Sequence, residues 1–231
     1  MKTVKTCKID AFEFWNWTNK DLDSIIKLKD ELGLRVAGCC TKVYNLVEPS
    51  ERESYLDGLR ESVKIAKRLG TSLLISQVGE DSGQPHELQK QSIIDGLKCA
   101  TPILEEAGIT LVIEPLNSQN HSGYFLRSSN EAFDIIKAVG SEYVKVLFDI
   151  YHQQITEGNL IYNIRENIDL IGHFHAAGNP GRNELNKGEI NYKNIFSELI
   201  RLGYEKYVGF EFFPEGSAED GIRASLRTLE V

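Results

Sequence analysis

One repeated pattern constrains this chain more than any other. An amphipathic helical stretch ends in a glycine, and a short apolar run rich in β-branched and aromatic residues follows. Gly33, Gly70, Gly108, Gly140 and Gly203 each close a helical pattern, at the position where glycine is the preferred terminator. The runs read as strands over 10–16, 35–41, 72–79, 110–117, 144–152, 171–178 and 207–214. Several are apolar almost throughout, which is the mark of strands buried on both faces. Helical patterns fill the intervals at 20–32, 51–69, 86–107, 128–138, 159–168 and 191–202, and a last one begins near Ser217. Strict alternation at a spacing of roughly 25–38 residues demands a parallel sheet with helical crossovers. The fold class is therefore α/β. Neither G-x-G-x-x-G nor G-x-x-x-x-G-K-[ST] occurs to favour a nucleotide fold. No linker or low-complexity stretch interrupts the pattern, so residues 1–231 read as one domain.

Four polar residues sit at the ends of these runs. Glu114 ends Thr110-Leu111-Val112-Ile113, and Asp149 ends Val144-Lys145-Val146-Leu147-Phe148. His175 ends Ile171-Gly172-His173-Phe174, and Glu211 ends Tyr207-Val208-Gly209-Phe210. In a parallel barrel the chemistry lies at the C-terminal strand ends, where these four would converge. Taken singly, each has a plain explanation, since a strand-end carboxylate often caps the next helix or pairs with a lysine. Taken together, three carboxylates buried side by side without a cation would be very costly. Their oxygen and nitrogen donors suit one divalent metal ion, Mn²⁺, Mg²⁺ or Zn²⁺.

The surrounding residues fit the same centre. His152, three residues after Asp149, is placed in the loop just above that strand and suits substrate binding or support of the ligands. His173 shares the strand parity of His175, so it points inward one layer deeper as a hydrogen-bonded interior residue. Arg182, in Asn179-Pro180-Gly181-Arg182, sits on a strand-end loop where its fork can grip an anionic or hydroxyl-rich substrate. Glu13 is a charge inside the apolar run Phe12-Glu13-Phe14, and a barrel-interior partner for a polar group is one reading of it. Trp15 and Trp17 suit a pocket wall or the core equally, and His86 and His121 receive no role.

Composition excludes some function classes. The net charge of −8 opposes a surface built for the DNA or RNA backbone. Hydrophobic content of 41% and charged content of 26% are those of a globular chain with a real core. Cys7, Cys39, Cys40 and Cys99 form no C-x-x-C pair or disulfide framework, so free thiols in a reducing cytoplasm are expected. No apolar segment has the length of a signal peptide core or a membrane span.

Six motifs carry a family resemblance. They are Ile113-Glu114-Pro115-Leu116-Asn117, Phe148-Asp149-Ile150-Tyr151-His152, Gly172-His173-Phe174-His175, Asn179-Pro180-Gly181-Arg182, Gly188-Glu189-Ile190-Asn191-Tyr192 and Val208-Gly209-Phe210-Glu211. In order and spacing they closely resemble the hydroxypyruvate isomerase branch of the xylose-isomerase-like TIM-barrel superfamily, from about residue 10 onward. The resemblance implies a (β/α)₈ barrel and a divalent metal held by Glu114, Asp149, His175 and Glu211. It implies metal-dependent isomerisation of a small hydroxy-carbonyl compound, hydroxypyruvate or a related short keto acid or ketose, through an enediolate. Glu114 and Glu211 would move the protons, and His152 and Arg182 would hold substrate oxygens. His175 stands where that branch is expected to carry Gln. Ketose 3-epimerases of the superfamily have His there, so 3-epimerisation is the alternative.

Two further expectations follow. A (β/α)₈ barrel needs eight strands, and seven are counted. Met1 to Cys7 resembles the tail of a first helix, so the first strand is expected to be absent. The resulting open edges would be met by distortion, by a loop or by a second chain in a homo-oligomer. Rival functions are an abasic-site endonuclease of the same superfamily and a catalytically idle sugar-binding barrel. The endonuclease needs three zinc ions with extra His ligands. Strands 35–41 and 72–79 end without His, and no Asp or His lies between His175 and Asp220.

Overall fold

The computed structural model describes residues 1–229, so the last two residues of the 1–231 domain reading lie outside it. Helix α1 (Lys2–Thr6) precedes strand β1 (Ala11–Phe14), and α2 (Leu22–Leu32) leads to β2 (Arg35–Cys40). Next come α3 (Arg52–Leu69), β3 (Leu73–Ser76), α4 (His86–Ala107), β4 (Thr110–Ile113), α5 (Ser129–Val139) and β5 (Val144–Asp149). The chain continues through α6 (Ile150–Thr156), α7 (Leu160–Asn167), β6 (Ile171–Ala176), α8 (Tyr192–Arg201), β7 (Val208–Phe210) and α9 (Ala218–Leu229). The seven strands form one parallel sheet in chain order. Gly33, Gly70, Gly108 and Gly140 terminate their helices in the left-handed conformation, as the repeated pattern predicts.

Strand parity separates two apolar layers. Leu73, Ile75, Val112 and Leu147 point to the concave interior and form a small cluster with Cys40. Their neighbours Leu74, Leu111, Ile113, Val146, Phe148 and Phe174 point outward into a much larger core under the helices. Each such fully buried side chain stabilises the fold by about 1.5–3 kcal/mol. Because the interior apolar layer is thin, the next inward positions along each strand are free to be polar. Register then sets those positions at one level, with Asp149 opposite His175 and His175 opposite Gly209.

Three expectations need correction. The observed strands are shorter than the apolar runs, β7 most of all. The run 144–152 is not one strand, because α6 begins at Ile150. Asp149 accepts hydrogen bonds from the backbone N–H groups of Tyr151 and His152 and so caps that helix. His152 therefore lies in the first turn of a helix, not in a loop.

The seven-strand count stands among the described residues. Residues 2–6 form α1 rather than a strand. The sheet curls almost closed, since Glu13 of β1 reaches His173 of β6 across the interior. No ladder joins β7 to β1. An apolar cavity of about 600 Å³ lies at that junction, with Val4, Phe12, Phe210, Phe212 and Leu226 among its walls. No described helix is long and apolar enough to cross a membrane, and all four cysteines are unpaired.

Candidate metal centre

The strand ends bring Glu114, Asp149, His175 and Glu211 together. One donor atom from each lies within 4.8 Å of the others. His175 Nδ1 is 3.5 Å from Glu114 Oε1 and 3.3 Å from Glu211 Oε2. Glu114, Asp149 and His175 are buried, and Glu211 is partly covered. Asp149 is placed by the start of its own helix, and the backbone of Glu114 is held from behind. The Asp149 Oδ1 atom caps α6, which leaves Oδ2 for the centre. Behind Glu114, the Tyr124 hydroxyl accepts from the Val78 N–H and donates to the Glu114 carbonyl.

His152 and Arg182 lie beside this set. The Asn117 N–H donates to His152 Nδ1 at 3.1 Å, so the ring proton is assigned to Nε2. Burial pushes the His152 pKa down to about 4, which keeps the ring neutral at pH 7. Its Nε2 is 3.6 Å from Asp149 Oδ2 and has no hydrogen-bond partner, so it can donate to a ligand. Arg182 Nη2 donates to Glu211 Oε2 at 2.5 Å and lies 3.9 Å from Asp149 Oδ2. Its guanidinium stands 5.3 Å from the centre of the Tyr151 ring. Arg182 has a φ of 55°, a left-handed conformation that costs a non-glycine residue about 1 kcal/mol and clusters at functional sites.

A model of the xylose isomerase-like TIM barrel family matches residues 1–230. The chain belongs to that family. It is 33% identical to hydroxypyruvate isomerase of Escherichia coli over 176 residues, which is 76% of this chain and 68% of that protein. It is 39% identical to 2-oxo-tetronate isomerase of Cupriavidus necator over 115 residues, half of this chain and 44% of that protein. Among solved structures, one titled AP endonuclease, family 2, from Brucella melitensis superposes with a TM-score of 0.92 at 26% identity. That superposition covers 97% of this chain and 90% of the other.

The electrostatics of this family member fit a cation at the four-residue centre. Burial raises the Glu114 pKa above the usual carboxylate range, and the charges of Glu211 and Asp149 add to the effect. Burial and the Glu211 charge push Asp149 up to about 6. Glu211 goes the other way, to about 2, because His175 and Arg182 outweigh its burial. His175 is buried, yet Glu13, Glu114 and Glu211 hold its pKa well above the usual histidine value. On the side facing the other carboxylates, Glu114 Oε1 and His175 Nδ1 lack a hydrogen-bond partner. A divalent ion would supply the missing partner and the missing positive charge together.

The structure settles the place of residues that the sequence leaves open or unassigned. Trp15 donates to Glu211 Oε1 through its indole N–H, so its place is the pocket wall. His121, given no role from sequence, lines the same cavity, and its ring is tilted against that of His152 with centroids 5.5 Å apart. Asn117 orients His152 and was visible only as part of a motif. Glu13 bonds to His173 at 2.9 Å, which makes it the interior partner that its charge in an apolar run suggested.

Proposed function

We propose that this chain is a metal-dependent isomerase of a small α-hydroxy carbonyl compound, with hydroxypyruvate or a related short 2-keto acid as substrate. The observation that carries the reading is the set of four donors within 4.8 Å at the strand ends. It opens into a cavity of about 470 Å³ walled by Trp15, Lys42, His121, His152 and Arg182, among others, a volume suited to a small ligand. Hydroxypyruvate and 2-oxo-tetronate, the substrates named for the two relatives, are short 2-keto acids, and this supports the same class here.

Glu114, Asp149, His175 and Glu211 would hold one divalent ion. When bound, it would polarise the substrate carbonyl and favour the negative charge of an enediolate. The protein supplies the proton movements. One carboxylate, assigned to Glu211, takes the proton from the hydroxyl-bearing carbon, and the electron pair of that C–H bond forms the enediolate double bond. Glu114 returns a proton to the neighbouring carbon, and the hydroxyl proton passes from one substrate oxygen to the other. The substrate gains and loses no atom, and exchange with solvent returns Glu211 to its ionised form and Glu114 to its protonated form. The opposite shifts of the Glu114 and Glu211 pKa values suit an acid and a base. The His152 Nε2–H would donate to a substrate oxygen, and Arg182 would orient Glu211 and hold a second substrate oxygen.

His175 supports a second reading, 3-epimerisation of a ketose, which uses the same base and acid on the two faces of one carbon. An endonuclease is disfavoured by the net charge of −8. Among the described residues, the other metal-competent group is Glu13 with His173, and it shares His175 with the first. The test is a panel of 2-keto acids and ketoses assayed with stripped and Mn²⁺-reloaded protein. Metal-dependent isomerisation of a keto acid supports the proposal. Epimerisation of a ketose alone favours the second reading, and no turnover of any member favours an idle barrel.

A further inference from the structure

We propose that Glu13 is a positioning residue that holds His175 in the one orientation able to serve the metal centre. This rests on the metal reading above. An imidazole offers a cation one lone pair, and its other nitrogen then carries a proton that needs an acceptor. His175 Nδ1 faces Glu114 and Glu211, so Nε2 is the nitrogen left over. Glu13 Oε1 lies 3.3 Å from Nε2. The other Glu13 oxygen is held by His173 Nε2 at 2.9 Å. One carboxylate oxygen is thus hydrogen-bonded to His173, and the other lies at ion-pair distance from His175, two residues further along β6.

Gly209 supplies an independent observation. It pairs with His175 across the β6–β7 ladder. A Cβ at this position would lie 1.8 Å from Glu13 Oε1 and 2.9 Å from the His175 ring. Strand β7 leaves out a side chain at the one place where the Glu13 carboxylate meets the imidazole. The β1 carboxylate therefore crosses the unladdered side of the sheet to reach β6. A rival reading makes Glu13, His173 and His175 a second cation site, since their donors also lie within 4.8 Å of one another. The 2.9 Å bond between Glu13 and His173 already satisfies both atoms without an ion.

The experiment measures Mn²⁺ binding to the full chain by calorimetry and electron paramagnetic resonance, with thermal melting to monitor the fold. Glu13→Ala should weaken binding roughly 10–100-fold, the usual effect of losing a ligand's outer partner. Glu13→Gln keeps an acceptor of the same shape and should fall between wild type and Glu13→Ala, which preserves the test if the alanine variant folds poorly. Gly209→Ala removes no polar group and should still weaken binding. The Glu13→Ala/Gly209→Ala double variant should bind no more weakly than Glu13→Ala, because both changes act through one contact. In Zn²⁺-loaded protein, ¹⁵N spectra should show a slowly exchanging His175 Nε2–H that Glu13→Ala loses. The inference is overturned if wild type binds Mn²⁺ and both single alanine variants bind it within twofold of wild type. It is also overturned if wild type binds two ions and Glu13→Ala binds one. If wild type binds no metal, the metal reading itself fails. The clamp is then judged from metal-free crystal structures, where Glu13→Ala must turn the His175 ring to sustain it and an unmoved ring refutes it.

Discussion

Replacing Arg182 by alanine probes the joint between the substrate cavity and the proposed base. The guanidinium donates to Glu211 at 2.5 Å, stands 3.9 Å from Asp149 and covers the Tyr151 ring at 5.3 Å. The side chain is only 15% exposed, so solvent screens these contacts weakly. A hydrogen bond to a charged partner contributes about 1.5–3 kcal/mol. At about 1.4 kcal/mol per tenfold, Arg182→Ala should lower kcat/KM roughly 10–100-fold. Arg182 also helps His175 to hold the Glu211 pKa at about 2 against burial. Without it that value rises, so an acid limb that lies below pH 4 in the wild type should move up toward or into the assayed range. Arg182→Lys restores a charge but not the planar fork and should recover part of the loss. Arg182→Gly relieves the left-handed backbone at φ 55°, so it should melt no lower than Arg182→Ala while being no more active. Steady-state kinetics between pH 4 and 9 on the substrate found in the panel test this. An Arg182→Ala protein with unchanged kcat/KM and an unmoved acid limb would refute the reasoning.

Glu198 accepts from Arg201 at 2.6 Å and Arg165 at 2.7 Å, which pull its pKa down to about 2. That value lies below the unfolded one of about 4.3, so this contribution is complete above about pH 4.3 and is lost as pH falls toward 2. Glu198→Gln should lower Tm at pH 7 and flatten the fall of Tm in acid, whereas parallel Tm curves would contradict the assignment. Tyr124→Phe leaves the buried Val78 N–H without its 2.9 Å acceptor and should cost about 1–3 kcal/mol in urea unfolding; a loss below 0.5 kcal/mol would argue against it. Asp149→Asn keeps a good helix cap and loses a charged donor. It should therefore retain Tm within about 2 °C while Mn²⁺ affinity falls at least tenfold, and equal affinity would remove Asp149 from the centre.

The alternation of helix and strand was legible because its signals are local. Glycine terminators, β-branched runs and helical spacing report the same boundaries. Glu114, Asp149, His175 and Glu211 were legible because each closes an apolar run, and a parallel sheet gathers such ends. Helix α6 was hidden because Ile150 and Tyr151 prolong the apolar run of β5, and the capping residue Asp149 is itself a ligand candidate. The role of Trp15 was open and that of His121 invisible, since loop paths decide which side chains enter a cavity. The Glu13 contact depends on how far the sheet curls, for it joins residues 160 positions apart. No local pattern encodes that distance.

The most direct measurement follows hydroxypyruvate in D₂O by ¹H nuclear magnetic resonance, using Mn²⁺-reloaded protein quenched and stripped before acquisition. Proton abstraction at the hydroxymethyl carbon and return at the neighbouring carbon predict the aldehyde isomer carrying solvent deuterium at its new C–H. They also predict that Glu211→Gln and metal-stripped protein give none of it. Hydroxypyruvate recovered unchanged with wild-type, metal-loaded protein would contradict the assignment of this substrate and of the chemistry at the four-residue centre.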